Sequence, residues 1–301
     1  MMAIAKQILK IIYFPLMSII FVGAEILVST NNFGFHYTLL LMALALIVSF
    51  GVERIIPHKA SWNDSQQDVG RDILHFLVNE SMNYIGMFLL PFLSVFALFP
   101  QVWPSDWGFA FQLLLAIVLF DIGSTLFHYL SHKNALLWRF HAIHHAPTRL
   151  YGFNGVMKHP AFQLLDGFFA LGPLVIIGIP QDVAISLVYC VFIQLLIQHS
   201  NADLKTGALR WIFATAEIHR FHHLKGKAGD VNFGLFFSVW DRLLGTTYFI
   251  KREPLGDSEI GIGNTHYPSR YWAQIKKPFE LNQQPIDSLP KLNESLMSEA
   301  K

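Results

Sequence analysis

The stretch that decides the reading is Phe127-His128-Tyr129-Leu130-Ser131-His132, followed shortly by Trp138-Arg139-Phe140-His141-Ala142-Ile143-His144-His145. On a helix, residues three and four apart lie on one side. His128 and His132 therefore point together, and His141 pairs with both His144 and His145. The pattern recurs in Glu217-Ile218-His219-Arg220-Phe221-His222-His223, and His199 stands alone between the two. Nine of the 14 histidines thus fall in four clusters. Two three-pronged triplets, a pair and a single residue offer enough imidazoles for two metal ions at four or five nitrogens each. Neutral imidazole suits iron, zinc, copper and nickel. Without a metal, so many clustered rings would bury unmatched donors and acceptors near a lipid boundary, which is costly. His36, His58, His75 and His266 lie outside any such spacing and read as structural.

The surrounding chain is built for lipid. Of its 301 residues 53% are hydrophobic and 14% charged, against about a quarter charged in ordinary soluble domains. Spanning a bilayer takes about 20 largely apolar residues, and 11–30, 37–52, 83–99 and 109–127 qualify. Two further runs, 161–179 and 183–198, are separated only by Pro180, Gln181 and Asp182, and read either as two full spans or as a shallower hairpin. With the spans numbered in order, the outer loops 31–36, 100–108 and 180–182 carry no Lys or Arg, and all 22 basic residues fall on the other side. By the rule that basic residues stay cytoplasmic, both termini and every histidine cluster are expected in the cytosol. The net charge of +1 gives no electrostatic case for a nucleic-acid partner. Cys190, the one cysteine, excludes an internal disulfide and reads as a small packed hydrophobe. The first ten residues lack the pattern of a removable signal peptide.

The expected fold is therefore an all-α integral membrane protein. It has about four to six membrane helices, with a cytosolic helical cap over 201–248 carrying a histidine-rich dimetal site. Residues 1–281 form a single membrane-embedded domain with its histidine core at 121–248, and 282–301, rich in polar residues and proline, a flexible tail. Asp121, seven residues before His128, shares a helix face with His128 and His132. It is a candidate to hold an imidazole N–H, or else makes an interhelical hydrogen bond. His159 stands between a similar supporting role and a helix-end one. Asp203 could join His199 as a ligand, although an exposed loop carboxylate is the plainer reading. Gln194 and Gln198 line a pocket or join helices.

At the histidine clusters the chain resembles the fatty acid hydroxylase/sterol desaturase superfamily of membrane di-iron oxidases. Its HxxxH, HxxHH and later HxxHH pattern is matched by His128-His132, His141-His144-His145 and His219-His222-His223. The flanks Leu137-Trp138-Arg139-Phe140, Asn232-Phe233-Gly234 and Trp240-Asp241-Arg242-Leu243-Leu244-Gly245-Thr246 are similar too. Tyr129 departs from the Arg that many members carry after the first histidine. The resemblance implies two Fe ions that use O2 to oxidise an unactivated C–H bond of a lipid, by hydroxylation or desaturation. Zn is expected to replace iron in some purified samples. By family position, Asn232 and Asp241 join the candidates behind the ligands. The chain shows no flavin, dinucleotide or haem module, so an external electron donor, a ferredoxin or a cytochrome with its reductase, is implied. The rival classes fit less well. A membrane metal-binding or transport protein without redox catalysis would place its ligands at mid-bilayer. A zinc hydrolase lacks HExxH, Glu217 being misplaced for a base, and a b-type haem protein needs far fewer histidines.

Overall fold

The computed structural model describes residues 1–251, 255–256, 258–263 and 267–280. His266 and the tail expected at 282–301 lie outside the described residues. Five helices are long and apolar enough to cross a membrane: α1 (Met2–Thr30), α2 (Phe35–Ile55), α3 (Val69–Leu93, prolonged to Phe96 by a 3-10 turn), α4 (Phe109–Lys133) and α7 (Gln181–Gln198). A sixth, α6 (Pro160–Ile176), is apolar but shorter. At 17 residues it reaches about 25 Å, less than the usual hydrocarbon thickness. The remaining helices are α5 (Ala135–His145), α8 (Ala216–His222), α9 (Val239–Leu244) and α10 (Tyr271–Lys276). Among the described residues no strand forms, and only isolated bridges join distant segments.

The third span departs most from the sequence reading. An apolar window puts it at 83–99, yet the helix starts at Val69. Its first half carries Asp72, His75, Asn79 and Glu80, all buried, so polarity that suggests a loop is turned inward and in large part matched. Asp72 accepts from the Tyr151 hydroxyl at 2.6 Å, and His75 faces Gln274 Oε1 at 2.9 Å. Asn79 donates to the Val156 carbonyl at 2.8 Å. Over 201–248 the cap is built of short helices, α8, α9 and 3-10 turns at Gly207–Trp211 and Gly226–Gly229, joined by irregular segments.

α7 sits at the centre, packed by α1, α2, α3 and α4, and is buried on nearly every face. Helices around it turn Ile19, Ile47, Phe92, Phe111 and Phe168 outward, the apolar belt a bilayer requires. The α4–α6 contact is tight because Gly123 lacks a side chain. A Cβ there would lie 2.6 Å from the Phe169 carbonyl oxygen and 2.9 Å from the Ala170 Cα. Gly123→Val therefore forces the helices apart, with an expected loss of about 1–3 kcal/mol. Thermal unfolding in detergent measures it, and an unchanged midpoint would contradict the contact.

Candidate metal centre

Three local devices bring the histidine clusters together. The first is a sharp reversal. Only Asn134 separates α4 from α5, and its Oδ1 accepts from the Leu136 and Leu137 amides at 2.9 and 3.1 Å. This capping folds His141, His144 and His145 back over His128 and His132. The second is Gly155 in the 3-10 turn Gly152–Val156. A Cβ on Gly155 would meet the Leu195 carbonyl at 2.8 Å and His199 Nδ1 at 2.9 Å, so the turn can approach α7 where His199 caps it. The third is the segment 230–237 after α8, which closes over the clusters.

All nine clustered histidines converge, and they divide into two groups. His128, His132, His141, His145 and His222 form one; His144, His199, His219 and His223 form the other. Within each group the ligand nitrogens lie within 4.8 Å of one another. The division runs through each HxxHH box. The i, i+4 pair His141/His145 serves the first group while His144 serves the second. His219/His223 serve the second while His222 serves the first. Four adjacent Nε2···Nε2 distances are 3.1 Å (His132–His145, His145–His141, His219–His199) and 3.2 Å (His199–His144). Metal–nitrogen bonds of about 2.1 Å at right angles separate neighbouring nitrogens by about 3.0 Å. These four contacts match the separation of neighbouring nitrogens on one ion.

The protonation pattern fits the same conclusion. His128 Nδ1 lies 2.9 Å from the Phe233 carbonyl, His222 Nδ1 2.8 Å from the Val231 carbonyl and His199 Nδ1 3.1 Å from the Leu195 carbonyl. His132 Nδ1 lies 3.0 Å from Asp230 Oδ1. Acceptors on this side require Nδ1–H, which leaves each Nε2 a bare lone pair aimed inward. The Nε2 atoms of His128, His222 and His223 are buried with no hydrogen-bond partner. Buried lone pairs crowded this closely repel one another and need a cation. Burial and neighbouring imidazoles push His141, His144, His145, His219, His222 and His223 well below the ordinary histidine range, and burial brings His199 to about 3. The rings are neutral and ready to ligate. With no carboxylate or thiolate among the ligands, the donor set fits a pair of first-row transition ions.

The candidates outside the ligand set take other places. Asp121 holds no imidazole. Its carboxylate accepts from the Leu235, Phe236 and Phe237 amides (3.2, 2.9 and 2.9 Å) and from Trp240 Nε1 (2.7 Å). Asp241 does the same for the Phe233 and Gly234 amides at 2.6 and 2.9 Å. Asn232, at φ 53°, donates to the Ile218 and Tyr248 carbonyls at 2.9 and 2.8 Å. These three tie down the segment whose carbonyls orient His128 and His222. His159 caps α6, its Nδ1 accepting from the Ala161 amide at 3.0 Å, with Nε2 facing the Ile275 carbonyl. Asp203 pairs with Lys10 and Glu217 with Arg210. Gln194 and Gln198 donate to the Ala214, Leu235 and Gly234 carbonyls, joining α7 to the closing segment.

Two features escape the sequence reading. Asp230 is the carboxylate behind His132, and also accepts from Lys133 at 2.7 Å. Burial pushes its pKa up, but the His132 and Lys133 contacts outweigh this and hold it below the usual carboxylate range. Its position seven residues after His223 and two before Asn232 was the available signal. The second is the buried ion pair Lys158–Asp166, 2.7 Å long, beside the donor set. An aspartate in an otherwise apolar helix was the clue there.

The geometry agrees with comparisons to known proteins. A fatty acid hydroxylase family model matches residues 113–246. An ornithine lipid hydroxylase of Rhizobium tropici is 34% identical over 258 residues, covering 79% of this chain and 74% of the relative. The chain belongs to the fatty acid hydroxylase family. A cholesterol 25-hydroxylase-like protein of Danio rerio (28% identical, 46% of this chain and 56% of the relative) and a methylsterol monooxygenase of Aspergillus fumigatus (29%, 52% and 55%) are similar over about half their length. No solved structure matches. As a fatty acid hydroxylase family member the protein is a membrane lipid oxidoreductase, and nothing found supports a metal transporter.

Two outcomes follow from the centre. Asp230→Ala frees the His132 ring and should weaken metal binding about 10–100-fold, read by metal titration against a competing chelator; unchanged affinity would show that Asp230 does not orient the ligand. The pH dependence has a definite sign. Unfolded histidines titrate near 6.5, whereas the buried ones resist protons, so below about that pH the unfolded chain binds more protons. Metal-free protein should lose thermal stability steadily from about pH 7 downward. A flat profile between those states would mean that the rings are solvated.

Proposed function

We propose that this fatty acid hydroxylase family member holds two iron ions and uses O2 to hydroxylate a membrane lipid with an ornithine-type headgroup. One observation carries the metal assignment: nine imidazoles, seven of them on buried residues, divide into a five-nitrogen and a four-nitrogen group whose nitrogens lie within 4.8 Å of one another. The relative matched over most of both chains is named for ornithine lipid hydroxylation, which supports the substrate class. The reported relatives are hydroxylases or a monooxygenase by name, which favours hydroxylation over desaturation. The bound irons would supply oxygen activation. The chain's part is to hold, orient and shield. His132 and His199 are fixed in their tautomers by Asp230 and the Leu195 carbonyl, and Phe162 and Phe233 wall the rings from solvent, Phe162 lying 4.7 Å from His141. A space of about 30 Å³ bounded by His128, His141, His144, His199 and His219 lies among the ligand rings, where the metal would be held.

The basic-residue asymmetry supports cytosolic termini and a cytosolic histidine centre, and a relative from the bacterium Rhizobium tropici favours a bacterial cytoplasmic membrane. Electrons would then come from a separate donor in the cytosol, a ferredoxin or a cytochrome with its reductase. Residues 1–281 act as one domain in this reading. Zinc in over-expressed protein would reflect the tolerance of imidazole sites.

Protein purified with its native metal should carry close to two irons per chain, one for each histidine group. His144→Ala should drop to one or fewer and abolish addition of an oxygen atom to the lipid, followed by lipid mass spectrometry in cells with and without the gene. Undiminished oxidation in that variant would overturn the assignment.

A further inference from the structure

A cavity of about 790 Å³ lies between α3, α6 and α7. Its walls are mostly apolar, and several of them, including Phe96, Leu98, Leu164 and Phe168, are exposed on the lipid-facing surface. It is therefore a cleft open to acyl chains. It meets the small space beside the metal ligands along a shared wall of Lys158, Asp166, Leu195 and Leu235. Lys158 and Asp166 are the charged members of that wall. Asp166 Oδ2 is 2.7 Å from Lys158 Nζ, Oδ1 accepts from Ser124 Oγ at 3.2 Å, and both side chains are largely buried.

A buried ion pair against an apolar cleft has a desolvation cost that packing alone does not repay, and charges at membrane depth mark functional sites. The two groups are also differently held. Asp166 is anchored on α6 and tethered by Ser124. Lys158 lies in the irregular stretch between the 3-10 turn and α6, at the end of a long side chain. The pair can open without moving a helix. Once open, it presents one carboxylate and one ammonium on the route between cleft and ions.

We infer that Lys158 and Asp166 form a headgroup clamp: the ammonium of a zwitterionic amino-acid lipid pairs with Asp166 and its carboxylate with Lys158, while the acyl chains lie in the cleft. Exchanging one ion pair for two leaves no buried charge unmatched. It also places the lipid's polar end, rather than a terminal methyl, beside the metal centre. The inference rests on the lipid hydroxylase reading above and names which lipids that site accepts.

Full-length protein loaded with zinc, in nanodiscs, separates binding from oxidation. Wild type should bind an N-acyl ornithine lipid more tightly than a diacylglycerol of equal chain length. Asp166→Asn should weaken binding of the ornithine lipid roughly tenfold, the effect of losing a charge-assisted hydrogen bond. Metal content and diacylglycerol affinity should stay the same. A structural ion pair would instead lower both affinities together or reduce metal content, and either result overturns the clamp, as does equal wild-type affinity for the two lipids. Lys158→Gln, outside the membrane-crossing helices, carries the same test if Asp166→Asn does not fold. Intact headgroup selectivity in a protein that, given iron and reductant, oxidises no lipid would sink the hydroxylase reading and leave the clamp standing.

Discussion

The whole molecule is organised around the repulsion among buried imidazole lone pairs that only a cation relieves. Nine neutral rings crowd into one space at the end of the helix bundle, several with nitrogens 3.1 Å apart. An apolar core would exclude them, and water would solvate them singly. Neither occurs: backbone carbonyls and Asp230 hold the outer nitrogens of His128, His132, His199 and His222 and so aim their inner ones. Much of the remaining architecture serves that aim. Asp121 and Asp241 spend their carboxylates on backbone amides of one closing segment, and Asn232 accepts a left-handed backbone to pin it.

The sequence revealed the centre more fully than the scaffold. Helical spacing groups His141 with both His144 and His145, and His219 with both His222 and His223, whereas the structure keeps only the i, i+4 pairs together. The spacing gives no hint that His144 and His222 cross to the opposite groups, since that depends on how α5 and α8 face one another. Apolar runs located α1, α2, α4 and α7 but misplaced the start of α3. A membrane helix whose polar residues are matched by Tyr151, Gln274 and the Val156 carbonyl looks like a loop to any local measure of hydrophobicity. Asp121 shows the complementary failure. Its face on α4 was read correctly, yet the partners across that face, the amides of 235–237, belong to a segment more than a hundred residues away.

The supporting carboxylates separate into two kinds. Asp230 touches a ligand ring directly, is partly exposed, and shares its second oxygen with Lys133. Asp121 and Asp241 are fully buried and touch no histidine ring. The first tunes one ligand, and the second kind sets the path of the chain that presents several. Replacing either would disturb the ions, but by different physical routes: loosening one ring in one case, and displacing a backbone segment in the other.

The way each HxxHH box straddles both groups has a further consequence. A single turn of α5 supplies nitrogens to both groups at once, and so does the turn formed by α8. In the two-iron reading, an ion that captured His141 and His145 would also fix the orientation of His144 for its neighbour. Occupancy of the two positions would then be cooperative, and the protein would acquire its metals as a pair.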